Sequence, residues 1–365
     1  MRTRGWGIGT IAPAVALALA VTLDFLPDEA YEPRALAILI PAVSLVVLIG
    51  AVFAAVHQAE IVAIRIGEPY GTLVLTIAVT IIEVSLVVSM MLHGENNPTL
   101  ARDSVFGVVM IVCTGLIGLC LFIGGWKHRE QEHRQQAASA YLSVLIALSV
   151  LMLLMPDYTT TTHGPTLSPV QLAFLAGSSL LLYCGFLYIQ TVRHRGDFLD
   201  VGENHEVHET PGTLRFWGAV GLLFAALVGI VLMAEHVAAD VEDGLSGLGL
   251  QRQDAVVGAL VALLVLLPEG TGAIRAANRN HLQTSINVAL GSALATIGLT
   301  IPAVAFASIV TGRQVELGLA PRDTILLLLT LGTCVVSFGS GRTNVLTGLV
   351  HITIFAAFLL FLFIP

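Results

Sequence analysis

Eleven long apolar runs follow one another along the chain, near residues 8–26, 35–64, 69–92, 101–126, 138–156, 168–192, 214–238, 252–275, 283–310, 322–338 and 343–364. About twenty apolar residues suffice for a helix to cross the hydrocarbon core of a bilayer. A backbone in lipid must satisfy its own polar groups, which leaves helices or closed barrels. Barrels show short alternating strands; unbroken runs predict an all-α integral membrane protein of about eleven transmembrane helices. Only 12% of residues are charged, against about a quarter in soluble domains. The formal charge of −8 is gathered in loops, with no basic tail or patch, so nucleic acid is not an expected partner. Expected partners are inorganic cations, protons and the lipid bilayer, and the reading leaves room for a homo-oligomer. Cys113, Cys120, Cys184 and Cys334 lie singly within apolar runs and read as small buried hydrophobes, not as disulfides or a zinc site.

The first run follows "MRTR" and contains "ALALA". It is read as a retained helix and not as a cleaved signal, because the basic residues then divide well between the two sides. With the N-terminus in the cytoplasm, inner loops hold twelve Lys and Arg (Arg2, Arg4, Arg65, Lys127, Arg129, Arg134, Arg193, Arg195, Arg215, Arg275, Arg279, Arg342) and outer loops hold five (Arg34, Arg102, Arg252, Arg313, Arg322). Basic residues favour the cytoplasmic side, so the C-terminus is expected outside. The hydrophilic stretch "RHRGDFLDVGENHEVHETPGTLR" (193–215) then divides the chain. The expected parts are an N-terminal helix (1–34), a first five-helix repeat (35–195), an acidic cytoplasmic linker (196–213) and a second five-helix repeat (214–365). Five crossings per half force the halves into opposite orientations, the arithmetic of an inverted-repeat transporter.

Polar residues inside the runs point to the chemistry. Glu83 interrupts "TIIEVSLVVSM" in the second run of the first half, and Glu269 lies in "LLPEGTGAIRAANRN" in the second run of the second half. Thr72, Thr76, Thr80 and Glu83 are spaced 4, 4 and 3 apart, placing three hydroxyls and the carboxylate on one helical face. Pro268 removes a backbone donor beside Glu269. Ser285, Asn287, Ser292, Thr296 and Thr300 form a polar stripe ending at Pro302. A charged residue at a helix centre costs about 2.5–3.5 kcal/mol on insertion scales, and no Lys or Arg lies at the depth of either glutamate. The missing counter-ion is therefore expected to be the transported substrate. Carboxylate, hydroxyl, amide and carbonyl oxygens suit a hard cation such as Ca²⁺, and protons neutralise the same pair. Glu83, Glu269, Thr80, Asn287 and Ser292 are the expected cation ligands. No cofactor is expected beyond the transported Ca²⁺ and H⁺, with Na⁺ or K⁺ as the alternative cargo.

The stretches "GEPYGTLVLTIAVTIIEVSLVVSMM" (67–91) and "LLPEGTGAIRAANRNHLQTSINVALGSALATIGLTIPAV" (266–304) resemble the bacterial calcium/proton antiporters of the cation/calcium exchanger superfamily. The resemblance implies an N-terminal helix followed by two inverted five-helix repeats, an essential Glu in each repeat at Glu83 and Glu269, and a place in the bacterial inner membrane. The superfamily pattern Gly-Asn-x-x-Glu sets an Asn three residues before each Glu, whereas Thr80 and Leu266 stand there. Fewer oxygens fit a looser site, and related bacterial members are associated with Na⁺ or K⁺ exchange as well.

His57 and Glu60, and Glu235 and His236, occupy matching runs of the two halves and are candidates for a proton or access path. Asp103 reads as a helix N-terminal residue. Asp197, Asp200, Glu203, Glu206 and Glu209, with His205 and His208 between them, form either a solvated linker or a cation-sensing loop. An intramembrane hydrolase is disfavoured, because Ser337 in "SFGSGR" has no histidine legible at its depth and no zinc-protease His pair occurs. A phosphate-binding Gly-Lys-Ser/Thr loop, as an ATP-driven pump requires, does not occur either.

Overall fold

A computed structural model of the chain describes residues 8–24, 34–67, 70–93, 98–198, 211–246 and 253–364. Its helices are α1 (Ile8–Asp24), α2 (Arg34–Ile66), α3 (Tyr70–His93), α4 (Leu100–His128), α5 (Gln135–Tyr158), α6 (Pro169–Arg193), α7 (Thr213–Ser246), α8 (Gln253–Asn278), α9 (Leu282–Thr311), α10 (Pro321–Phe338) and α11 (Val345–Phe363). Among the described residues nine helices are long and apolar enough to cross a membrane. Shorter apolar stretches, Ile11–Thr22 in α1 and Ile77–Val88 in α3, coincide with the first and third runs of the sequence. Large apolar side chains cover the outer faces: Val336 is 79% exposed and Phe174 is 70% exposed. Exposure on that scale marks a surface solvated by something other than water, as a multi-pass membrane protein requires.

Local sequence sets several helix ends. Ser168 and Gln171 form a capping box at the start of α6, with Pro169 at the first helical position. Asn344 caps α11 by accepting from the Thr347 amide at 3.2 Å. Gly312 ends α9 in the left-handed conformation, φ +69°.

The helices sort into two compact units, and each unit draws on both halves of the sequence. One unit comprises α1, α2, α3 and α7. There Gly229 of α7 admits the backbone of α1, for a side chain at that position would meet Leu17 N at 3.0 Å. Ile61 and Val62 of α2 pack with Ala219 of α7, and Arg65 Nη1 donates to the Pro211 carbonyl at 2.6 Å.

The other unit comprises α4 to α6 and α8 to α11, with α4 mostly buried within it. Its tightest contact is antiparallel, between α4 and α11. A side chain at Gly348 would meet Phe122 Cα at 2.8 Å, and one at Gly118 would meet the Ile352 amide at 3.0 Å. Small residues let helix backbones approach in this way. Beyond the helix ends, the expected loops pair as a two-stranded ribbon of β1 (Glu130–Glu132) and β2 (Arg342–Asn344), with Gln131 opposite Thr343. Gln131 is buried against Gly124 and donates to Ala277 O and Asn280 Oδ1, both at 3.0 Å. The ribbon thereby joins the ends of α4, α8 and α11.

Four helices contain a π-turn: α4 at Ile111–Leu116, α5 at Val150–Leu154, α6 at Ile189–Arg193 and α9 at Thr296–Thr300. Such turns are rare and concentrate at functional sites.

Two outcomes follow for stability. Gly348→Val forces a branched side chain onto the Phe122 backbone and is expected to destabilise by about 1–3 kcal/mol, visible as a lower Tm in detergent. Gly177→Ala, whose added methyl meets nothing within 4 Å, leaves Tm unchanged or slightly raised. His133, between α4 and α5, is buried, and its Nε2 lies 3.2 Å from Phe338 O. Desolvation holds its pKa below the ordinary value, against the opposing pull of the Phe338 carbonyl. The unfolded chain therefore takes up this proton more readily than the folded one. That stability is complete above the unfolded value, near 6.5, and is lost as pH falls through it. Melting curves between pH 7.5 and 5.5 should show a steeper fall for the parent than for His133→Gln.

Candidate functional site

On α3 the carboxylate faces inward. Glu83 is 6% exposed and Thr80, one turn earlier, 5%, while Ile77 and Ile81 on the opposite face are 45% and 44% exposed. The spacing Thr80–Glu83–Val87 keeps this inward face continuous. The side chains of Thr72 and Thr76 lie outside the described set.

In the other unit α8 carries Glu269, which is half-buried. The Ser292 hydroxyl of α9 donates to Glu269 Oε2. The Ser292 carbonyl accepts from Thr296 Oγ1 at 3.1 Å, which ties the site to the π-turn of α9. Gly270, next to Glu269, faces Leu116 at the end of the π-turn of α4, where a side chain would lie 3.6 Å from Leu116 Cδ1. Farther along α9 the Thr300 hydroxyl is fully buried and makes no hydrogen bond among the described residues. Such a burial costs about 1–3 kcal/mol in proteins, so α9 carries a polar group that packing alone does not justify. No three His, Cys, Asp or Glu side chains converge among the described residues; the oxygen shown against Glu269 is the Ser292 hydroxyl.

Asn287, expected as a ligand, has its amide engaged by other partners. Its Oδ1 accepts from Gln283 Nε2 at 2.8 Å and its Nδ2 donates to the Phe198 carbonyl. Phe198 in turn packs edge-on to Tyr141 and Phe186, while Gln190 Nε2 donates to Tyr141 Oη at 2.7 Å. Asn287 thus anchors the start of the acidic linker on α9.

The two π-turns nearest Glu269 each release a backbone carbonyl. In α4 the Ile117 amide bonds Val112 O, one residue farther back than in an α-helix. The Cys113 carbonyl accepts instead from His351 Nδ1 of α11 at 2.7 Å. In α9 Pro302 has no amide proton to offer Gly298, and Ser179 Oγ of α6 donates there at 3.2 Å, with Ile297 O at 3.3 Å. Residues of α6 and α11 thus replace what the helical ladders lack.

The remaining candidates divide. His57 and Glu60 lie on the outer face of α2 as a 3.7 Å pair, each side chain 55% exposed; the buried polar residue there is Gln58, 2% exposed. The repeat of buried Ala51, Ala55, Ala59 and Val62 is the signal that puts Gln58 on the inner face. On α7 His236 Nδ1 lies 3.2 Å from Leu232 O, one turn back along its own helix, and the side chain of Glu235 lies outside the described set. Asp103 is buried in the first turn of α4 and pairs with Arg102 Nε at 2.8 Å. Asp197 pairs with His194 at 3.5 Å, whereas Asp200, Glu203, His205, Glu206, His208 and Glu209 lie outside the described residues. Cys184 is exposed, unlike the other three cysteines. Ser337 does have a histidine partner, His351 Nε2 at 2.9 Å. The other imidazole nitrogen serves a backbone carbonyl and not a carboxylate, so the pair is not a hydrolytic triad.

The sodium/calcium exchanger protein family matches residues 36–192 and 218–364. A candidate ionic transporter, y4hA, of Sinorhizobium fredii (strain NBRC 101917 / NGR234) is 48% identical over 322 residues, 87% of each chain. The sodium-potassium/proton antiporter ChaA of Escherichia coli (strain K12) is 35% identical over 331 residues, covering 88% of this chain and 89% of that one. Among solved structures, the crystal structure of the selenium-substituted Ca²⁺/H⁺ antiporter protein YfkE superposes with a TM-score of 0.73 at 18% identity, over 98% of this chain and 99% of that one. The fold is therefore that of a membrane exchanger. The chain is a transporter and not an enzyme, and it belongs to the sodium/calcium exchanger protein family.

Proposed function

We propose that the protein is a secondary antiporter exchanging a cytoplasmic cation for external protons, with Glu83 and Glu269 carrying either cation or protons in turn. The observation that carries this reading is Glu269 itself: a carboxylate in a membrane helix that accepts its hydrogen bond from a neutral hydroxyl, Ser292. A charge so placed needs neutralising, and a cation or a proton does so. Glu83, buried on the inner face of α3, is its counterpart in the other half of the chain. With both carboxylates empty the charge is too costly to move across the membrane, so transport is obligate exchange.

In this reading the protein crosses the bacterial inner membrane eleven times, with the N-terminus in the cytoplasm and the C-terminus outside. The first helix precedes two inverted five-helix repeats, α2–α6 and α7–α11. Two features support the repeats. The family matches two segments of similar length, and the third helix of each half carries a π-turn whose freed carbonyl is served by the last helix of the other half.

The cation in our reading is Na⁺ or K⁺. Asn287 is engaged by Phe198 and Gln283, Thr80 and Leu266 replace amide positions, and the relative at 35% identity is named a sodium-potassium/proton antiporter. Ca²⁺, the first expectation from sequence, is the second reading, supported by the all-oxygen set of two carboxylates with Thr80 and Ser292.

Everted membrane vesicles with an acid interior and a pH-sensitive dye test this directly. Added Na⁺ or K⁺ should collapse the gradient, with Glu83→Gln and Glu269→Gln both silent; collapse by micromolar Ca²⁺ alone would transfer the assignment to the second reading. Glu→Gln variants indistinguishable from the parent would sink the two-carboxylate mechanism. Ser292→Ala removes one hydrogen bond to a charged group and should raise the apparent KM for the cation by roughly tenfold or more while leaving exchange detectable.

A further inference from the structure

His351 is fully buried in α11, and the two-carboxylate mechanism makes no use of it. Its two ring nitrogens have different tasks. Nδ1 faces the Cys113 carbonyl at 2.7 Å and must carry the proton, since a carbonyl only accepts. Nε2 is then the acceptor for the Ser337 hydroxyl at 2.9 Å. Ser337 thereby selects the tautomer that serves α4. The approach is possible because Gly118 lies opposite His351: an added Cβ there would sit 3.0 Å from His351 Cβ.

Ser179 has the corresponding task on α9. It is fully buried, and its hydroxyl lies against the carbonyls of Ile297 and Gly298. Gly298 meets α6 closely as well, for a Cβ there would lie 3.0 Å from Tyr183 Cβ. Both supported turns adjoin the Glu269 site. The α4 turn ends at Leu116, which faces Gly270. The α9 turn begins at Thr296, whose hydroxyl bonds the Ser292 carbonyl.

We propose that His351 and Ser179 are positioning residues for cation exchange, each holding open the π-turn that sets one wall of the Glu269 site. This assignment rests on the antiporter reading for its transport arm. Without its outside donor the freed carbonyl is left unpaired at Gly298, or left to the weak Cys334 thiol 3.9 Å away at Cys113, and the turn opens more readily. That loosening lets the residues beyond the turn shift relative to Glu269, so the loss falls on cation affinity and not on the amount of folded protein.

The test uses His351→Leu, His351→Asn and Ser179→Ala in the full-length protein at matched membrane levels. Asn can place its amide nitrogen near the former Nδ1 position and keep a donor for Cys113; Leu cannot. In everted vesicles supplied with Na⁺ or K⁺, His351→Leu and Ser179→Ala should raise the apparent KM about tenfold, the scale of one buried hydrogen bond. His351→Asn should remain within about twofold of the parent. Hydrogen exchange on purified protein supplies a readout independent of transport: amides of 111–118 should lose protection in His351→Leu, and those of 296–303 in Ser179→Ala. Unchanged KM and protection in both variants overturns the proposal, as does an Asn variant as impaired as Leu. If parent vesicles exchange no cation at all, the antiporter reading fails. The exchange data then decide the clamps alone: protection retained in the variants overturns them, and protection lost at the matching turn upholds them.

Discussion

A carbonyl released from a helix inside a bilayer has no water to turn to. At Cys113 and at Gly298 this constraint governs how neighbouring helices are arranged. Each freed oxygen is met by a side chain from another helix, His351 or Ser179, and those donors reach their targets because glycine permits close approach at Gly118 and Gly298. The burial of α4, its pairing with α11 and the contact of α6 with α9 all meet the same local need. The apolar mass of the helices provides the setting, but apolar surface gains little from helix association in lipid. Specific polar contacts and close backbone packing therefore determine which helix lies beside which.

The glutamates invert this logic. At Glu269 the carboxylate is held, among the described residues, by one hydroxyl; this incomplete satisfaction is what cargo would complete in the proposed exchange. A fixed Lys or Arg beside Glu269 would remove the need for a mobile counter-ion. A neutral Ser292 steadies the carboxylate without discharging it, and its hydroxyl can turn to offer a lone pair to a bound cation. Asn287, five residues away on the same helix, has both ends of its amide committed. The polar stripe of α9 therefore serves two purposes, one toward Glu269 and one toward the linker that begins at Phe198.

Much of this was legible in the sequence. Run length marked out the helices, and the placement of Thr80 and Glu83 one turn apart foretold a carboxylate on a shared inner face. Other features have a faint local signature or none. His57 and Glu60 look like membrane-embedded polar residues on paper, yet they point outward while Gln58 between them points in; in a run apolar on all sides the spacing of Ala51, Ala55 and Ala59 is the one hint of direction. The π-turns arise from one extra residue in a turn, marked in α9 only by Pro302. His351 meets Cys113 where the ribbon sets α11 beside α4, a register that hydropathy does not encode.

The ribbon of β1 and β2 has a mechanical consequence. Strand pairing fixes Gln131 opposite Thr343, the glycine contacts fix Gly118 against the His351 turn, and the imidazole fixes Cys113. Three independent registrations along one helix pair forbid sliding: a slip of one residue would break the ladder, drive backbone into backbone and strand a carbonyl. Shear between α4 and α11 is thus opposed, and a rearrangement of this pair falls instead to bending at the turn where the ladder of α4 is already interrupted.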